Sequence, residues 1–156
     1  MLSGRLIQLI ETNQEQIVSN VIRAIRQHPE MAQYQKLPDA ELRARARDII
    51  EQLDYWLIAP HEAEIGQVYE QLGKSRFEES VPLHEAVRAL SIIKYKMLDF
   101  AREQVFSKTA VDLYAEQELA RRTGRFFDAL TIHMVHGYET AWRRANHAAN
   151  WARNAA

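Results

Sequence analysis

The sequence predicts a single all-α domain of about five helices over residues 1–156. Helix-breaking residues are scarce, with 5 glycines and 4 prolines in 156 residues, whereas helix-favouring Ala, Leu, Arg, Glu and Gln recur throughout. Apolar residues are spaced three and four apart, which places them on one face of a helix. A hydrophobic content of 47% with 26% charged residues is typical of a folded protein. These observations favour a helical bundle with its own core.

The first two predicted helices each carry one apolar stripe. The first ends at His28, because the residue before Pro29 is pushed out of the helical region. The second begins at Pro38, whose fixed φ suits the first helical turn, and ends before Pro60. The two stripes consist of Leu6, Ile10, Ile17, Val21 and Ile25, and of Leu42, Ala46, Ile49, Leu53 and Trp56.

The third and fourth predicted helices flank a polar stretch that runs from Lys74 to Ser80. The third is predicted to end at Gly73, which can adopt the left-handed conformation of a C-terminal cap. The fourth follows Pro82 and runs to about Ser107. The apolar positions are Ile65, Val68, Tyr69 and Leu72 in the third helix, and Leu83, Ala86, Leu90, Ile93, Met97 and Phe100 in the fourth.

The fifth predicted helix is the longest. Thr109 with Asp112 three residues later resembles a capping box, and the only breakers that follow are Gly124 and Gly137. A helix from about residue 111 to residue 150 would be roughly 60 Å long, whereas a compact domain of this size is about 40 Å across. The helix therefore protrudes, kinks or is shorter than its pattern. We divide the domain into a helical body, residues 1–108, and a connector helix, residues 109–156.

Two neighbouring apolar seams follow this helix, although a helix with one core-facing stripe needs only one. They consist of Ala120, Phe127, Met134, Tyr138 and Ala141, and of Leu119, Phe126, Leu130 and His133. The second seam needs a second packing partner, either more of the same domain or another subunit, and we expect a homodimer. Gly124 and Gly137 either permit a tight helix crossing or are merely tolerated. The residues expected at the dimer interface are Phe126, Leu130, His133, Gly137 and Tyr138.

Charge, cysteine content and hydropathy exclude several classes of function. Twenty basic and 21 acidic residues give a net charge of −1, so no net positive field attracts nucleic acid or an anionic membrane, and only a local basic patch stays open. The absence of cysteine excludes disulfides, zinc thiolate sites and thiol nucleophiles. No apolar run approaches the roughly 18 residues of a membrane span, and the N-terminus lacks a signal-peptide pattern. Trp142 and Trp151, set among alanines, favour a partner helix over a membrane surface. We expect a cytoplasmic protein.

Histidines are the candidates for metal or haem chemistry. His133 and His136 could share one side of the last helix as metal ligands, but the Glu-x-x-His motif of helical-bundle metal sites is absent. His61 and His84 could be axial haem ligands, although each stands at a helix start, where a polar residue caps exposed amides. No nucleophile with its base and no glycine-rich phosphate loop is present. We therefore predict no catalytic residue, no metal and no cofactor.

Two segments resemble the N-terminal domain of RsbR-type stressosome proteins, the RsbT co-antagonists, a domain that also precedes sensor histidine kinases. The first is LGKSRFEESVPLHEA, residues 72–86, and the second is RFFDAL, residues 125–130, continuing to Gly137-Tyr138-Glu139. Lys74 stands where Arg is expected, and Ser80 where a Gly often occurs. The resemblance implies a globin-like fold without haem, a dimer, and a signal that leaves along the last helix.

Residues and resemblance together predict a non-enzymatic signal-input or protein-interaction domain of a bacterial-type stress-response protein. The signal is expected to pass through the C-terminal helix to a downstream output domain or a signalling partner. Two alternatives remain open from the sequence: a globin-type sensor that binds haem or a small molecule, and a helical enzyme.

Overall fold

The computed structural model describes residues 2–58, 62–104 and 109–155, and in these ranges the protein consists of six α-helices without a strand. In chain order they are α1 (Leu2–Thr12), α2 (Gln14–Gln27), α3 (Asp39–Ile58), α4 (Glu62–Glu78), α5 (Leu83–Glu103) and α6 (Ala110–Ala155). A 3-10 helix, Tyr34–Lys36, lies between α2 and α3. The predicted all-α class and long last helix are confirmed, while the globin-like arrangement stays a prediction.

The first predicted helix is in fact two helices, α1 and α2, because the helix breaks at Asn13. The Asn13 side chain donates a hydrogen bond from Nδ2 to the Leu9 carbonyl at 2.9 Å, and its φ of −110° leaves the helical region. A short amide side chain that bonds the local backbone in this way competes with continued helix. The apolar stripe from Leu6 to Ile25 is nevertheless buried on both sides of the break. The predicted core face is right, and the predicted continuity is wrong.

The third predicted helix does not end at Gly73, which lies inside α4. The left-handed residue is Ser80, with φ 61°. The Val81 amide donates to the Arg76 carbonyl at 3.0 Å and the Ser80 amide to the Phe77 carbonyl at 3.0 Å, the two bonds of a Schellman motif. A left-handed cap thus closes this helix seven residues later than predicted.

The start of α6 follows the predicted signal. The Asp112 amide donates to Thr109 Oγ1 at 3.2 Å, and the Thr109 amide donates to Asp112 Oδ2 at 3.2 Å, so the capping box is formed. With 46 residues, α6 is about 69 Å long at the usual rise per residue. The predicted end of the fourth helix near Ser107 lies outside the described residues.

The apolar stripes of the helices meet in one core. Helix α6 runs through it and contacts α1, α3, α4 and α5. The largest fully buried side chains include Tyr69 of α4, Phe126 of α6 and Ile10 of α1. A search of the described residues finds no helix of the length and hydropathy that crossing a membrane requires.

Candidate functional site

Helices α4 and α6 pack backbone to backbone at two glycines, Gly73 and Gly137, and the His133 side chain of α6 packs on a third, Gly66 of α4. We call this contact the α4–α6 seam. A Cβ on Gly137 would stand 2.7 Å from the carbonyl carbon of Glu70. A Cβ on Gly73 would stand 2.7 Å from the amide nitrogen of Tyr138. Both distances are shorter than real Cβ contacts, so a residue other than glycine would force the helices apart.

Aromatic contacts hold the seam on either side of these glycines. Tyr69 of α4 meets Phe126 of α6 edge-on with 6.4 Å between ring centroids, and Phe77 meets Tyr138 in the same way at 5.5 Å. The Tyr138 hydroxyl donates to the Val81 carbonyl at 2.7 Å. Later residues of α4 therefore contact later residues of α6, so the two helices run in the same direction. Tyr138 also ties α6 to the turn that ends α4.

The five residues predicted for a dimer interface lie in or beside this seam. Phe126 and Leu130 are 0% exposed, Gly137 is buried, and His133 and Tyr138 are partly buried. Phe126, Gly137, His133 and Tyr138 contact residues of α4 of the same chain, and Leu130 belongs to its core. Both predicted seams are therefore covered within the chain over these positions, and a subunit interface at the five residues stays a prediction.

The two histidines considered as metal ligands face glutamates of α4. His133 Nε2 lies 3.6 Å from Glu62 Oε1, and His133 Nδ1 lies 3.9 Å from Glu70 Oε1. His136 Nδ1 lies 3.0 Å from the same Glu70 oxygen. No group of three or more potential ligands in the described ranges could hold a metal ion. Sequence reasoning missed Glu62 and Glu70, because only the packing of α4 against α6 brings them to these histidines.

The last part of α6, residues 142–155, extends beyond the seam, and we call it the arm. Every residue of the arm is exposed, including Trp142 at 52% and Trp151 at 71%. Helix α4 ends at Glu78, which lines a surface groove together with Ala145. Past that point, the described chain does not cover α6. The apolar stripe of the helix continues from Ala141 along the arm, at Ala145, Ala148 and Ala152.

Of the two residues considered for haem binding, the structure describes only His84, and it does not line an apolar pocket. His84 is exposed and lines a shallow groove with Glu30, Glu85 and Arg88, and His61 lies outside the described residues. A cavity in the core between Ile25, Leu90 and Met134 has a volume of about 20 Å³. That volume fits about one water molecule. The described residues thus contribute no observation in favour of a haem or small-molecule sensor.

Burial displaces the pKa values of Asp54 in α3 and of Tyr69 in the seam. Burial, together with the nearby carboxylates of Glu11 and Glu51, raises the pKa of Asp54 to about 7. Burial also raises the pKa of the Tyr69 phenol, with a smaller contribution from Asp48. Asp54 of α3 thus lies near the Glu11 carboxylate of α1, and burial disfavours its charged form.

Comparison with known proteins identifies one family. The model of the family described as RsbT co-antagonist protein rsbRD N-terminal domain matches residues 15–153. No curated protein and no solved structure matches the chain.

Proposed function

The chain belongs to the family of RsbT co-antagonist rsbRD N-terminal domains, and on this premise we propose that it forms a homodimer and relays a signal through α6. Membership implies an input domain of stressosome-type signalling and a regulatory, non-catalytic role. The receiver of the signal is a downstream output domain or a partner protein. A cytoplasmic location is part of the proposal and accords with the cysteine-free sequence.

The observation that carries this proposal is that one continuous helix belongs both to the core and to an exposed arm. A change that moves α4 against α6 at the glycines is carried along a rigid helix to the arm. Backbone contacts at Gly73 and Gly137 leave no soft layer of side chains to absorb such a movement. Packed helix interfaces tend to switch between discrete arrangements, which is the property a relay requires.

The exposed apolar side chains of the arm support the dimer, because a second subunit would cover them. Trp142 and Trp151 are large apolar side chains that are 52% and 71% exposed, and every residue of the arm is exposed. Exposed apolar side chains on a protruding helix are normally covered by a partner. The arm's stripe of alanines allows a second helix to approach closely, and Trp142 and Trp151 flank the stripe on opposite sides. We therefore place the first contact between subunits on the arm. The interface expected at Phe126, Leu130, His133, Gly137 and Tyr138 would require α4 to move.

Light scattering on the purified chain tests the dimer, with matched substitutions on two faces of the arm. The monomer mass is 18.2 kDa, and we expect twice this mass at tens of micromolar. Ala148→Glu with Ala152→Glu puts charge on the stripe and should give the monomer. Asn146→Glu with Asn150→Glu puts the same charge on the opposite, exposed face and should leave the dimer intact. A monomeric parent chain, or loss of the dimer in both variants alike, contradicts the proposal.

A further inference from the structure

His133 sits between two carboxylates of α4, each facing a different ring nitrogen. Glu62 Oε1 lies 3.6 Å from Nε2 and Glu70 Oε1 lies 3.9 Å from Nδ1. We infer that protonation of His133, assisted by His136, clamps α4 onto α6, so that the α4–α6 seam is held tightest in acid. The inference deepens the proposed function and rests on it, because this is the seam through which the relay would act.

The chemistry of the ring explains why its charge matters. A neutral imidazole has one N–H donor and one acceptor lone pair, so one nitrogen of His133 must present a lone pair to a carboxylate oxygen. In the described structure Nε2 is buried and makes no hydrogen bond. An imidazolium donates from both nitrogens and places its positive charge between two negative ones. Histidine is the side-chain type whose ordinary charge change falls between pH 5 and 8, so a comparison of acidic with mildly basic solution can test the contact.

The position of the ring follows from Gly66. A Cβ at Gly66 would stand 2.9 Å from His133 Cε1, so the missing side chain lets the ring lie against the backbone of α4. Glu62 and Glu70 stand four residues before and after Gly66, on the same face of the helix. Each carboxylate therefore reaches one edge of the ring, and the histidine is held against the backbone of α4 at Gly66.

The charged groups beside Glu62 and Glu70 do not compete with the histidines for these two carboxylates. His136 shares Glu70, with Nδ1 3.0 Å from its Oε1. Lys74, the next charged residue along α4, pairs with Glu78 at 4.0 Å. In the described parts of α1, α3 and α5, no carboxylate lies within 4.0 Å of either histidine ring. Among the described residues, the carboxylates that would pair with a protonated His133 or His136 thus belong to α4.

Thiol accessibility in the seam tests the clamp directly, because the chain contains no cysteine. Met134→Cys places a thiol at a position that is 1% exposed and lies beside Leu72 and Arg76 of α4. Asn146→Cys, on the exposed face of the arm opposite the alanine stripe, supplies the reference rate at each pH. Protection is the ratio of the reference rate to the rate at position 134, measured with a methanethiosulfonate reagent. We expect protection about three- to tenfold higher at pH 5.5 than at pH 8.0, the effect of two or three partly exposed ion pairs.

Substitutions on α4 distinguish the clamp from a general effect of pH. In the Glu62→Gln, Glu70→Gln background the protection should be the same at both pH values. Glu78→Gln, on the same helix but away from the histidines, should keep the difference. Equal protection at the two pH values in the parent chain, or a difference that survives the double substitution, overturns the inference.

A second measurement needs no cysteine. The free energy of unfolding in urea should differ between the parent chain and the Glu62→Gln, Glu70→Gln variant more at pH 5.5 than at pH 8.0, and a constant difference overturns the inference. The comparison cancels the titration of Asp54, which both chains share. Both experiments measure the contact between α4 and α6 within one chain, whereas light scattering measures the dimer. Failure of the clamp is therefore distinguishable from failure of the proposed dimer.

Discussion

Replacing Gly137 by alanine perturbs the α4–α6 seam at its closest point. The added Cβ would stand 2.7 Å from the carbonyl carbon of Glu70, whereas ordinary van der Waals contact begins at 3.4 Å. The helices must separate by at least about 0.7 Å, a gap that forfeits a quarter to a half of the dispersion energy of the contacts beside it. Overpacking of this kind costs about 1–3 kcal/mol or more. Since alanine also gains about 1 kcal/mol of helix propensity over glycine, we expect a net loss of up to about 2 kcal/mol.

Gly124 provides the matched control for this prediction. It lies in the same helix, and a Cβ built on it meets nothing within 4 Å. Gly124→Ala should therefore raise the free energy of unfolding by about 0.5–1 kcal/mol, the propensity gain alone. Urea unfolding followed by circular dichroism measures both variants. If Gly137→Ala stabilises the protein as much as Gly124→Ala does, the close approach of α4 and α6 is refuted.

Three further predictions concern the caps and a buried carboxyl. Ser80→Gly relieves a left-handed backbone with φ 61° and should raise the free energy of unfolding in urea by about 0.5–1 kcal/mol; a loss would contradict the Schellman turn. Thr109→Ala removes the side-chain acceptor of the capping box and should lower that free energy by about 1 kcal/mol, with faster hydrogen exchange in the first turn of α6; unchanged exchange would count against the cap. The pKa of Asp54 is raised to about 7, so the folded state binds a proton that the unfolded state has released, and stability falls as pH rises from about 4 to about 7. Asp54→Asn should abolish that fall and stabilise the protein at pH 8 by about 1–2 kcal/mol, allowing for solvent screening of a half-buried group. Urea unfolding at pH 4 and pH 8 measures the effect, and an equal change in the free energy of unfolding at the two pH values would refute the prediction.

Local signals in the sequence were enough to predict most of the helices. The proline after His28 ends α2, and the spacing of Thr109 and Asp112 marks the start of α6. The core stripes of α2, α3 and α5 were predicted because a helix buried on one side repeats its apolar residues every three to four positions. The long last helix was predicted for the same reason.

Tertiary contacts explain why some predictions from the sequence were wrong or incomplete. The stripe continues across Asn13 because α1 and α2 face the same core, so periodicity alone shows no break there. A glycine that caps a helix and a glycine that admits another helix look alike in sequence, and only the contact of Gly73 with α6 distinguishes them. A double seam likewise shows that α6 needs two partners without showing whose helices they are. Much of that partner surface is α4 of the same chain, and the uncovered part is the arm.

The measurement that tests the relay most directly is the effect of a seam substitution on the dimer. Analytical ultracentrifugation gives the dimer dissociation constant of the parent chain, Gly137→Ala and Gly124→Ala under conditions where all three are folded. We expect Gly137→Ala to change the dissociation constant several-fold although it touches no residue of the arm, and Gly124→Ala to leave it unchanged. Identical dissociation constants for all three chains would show that the seam and the arm are not coupled, and would contradict the account.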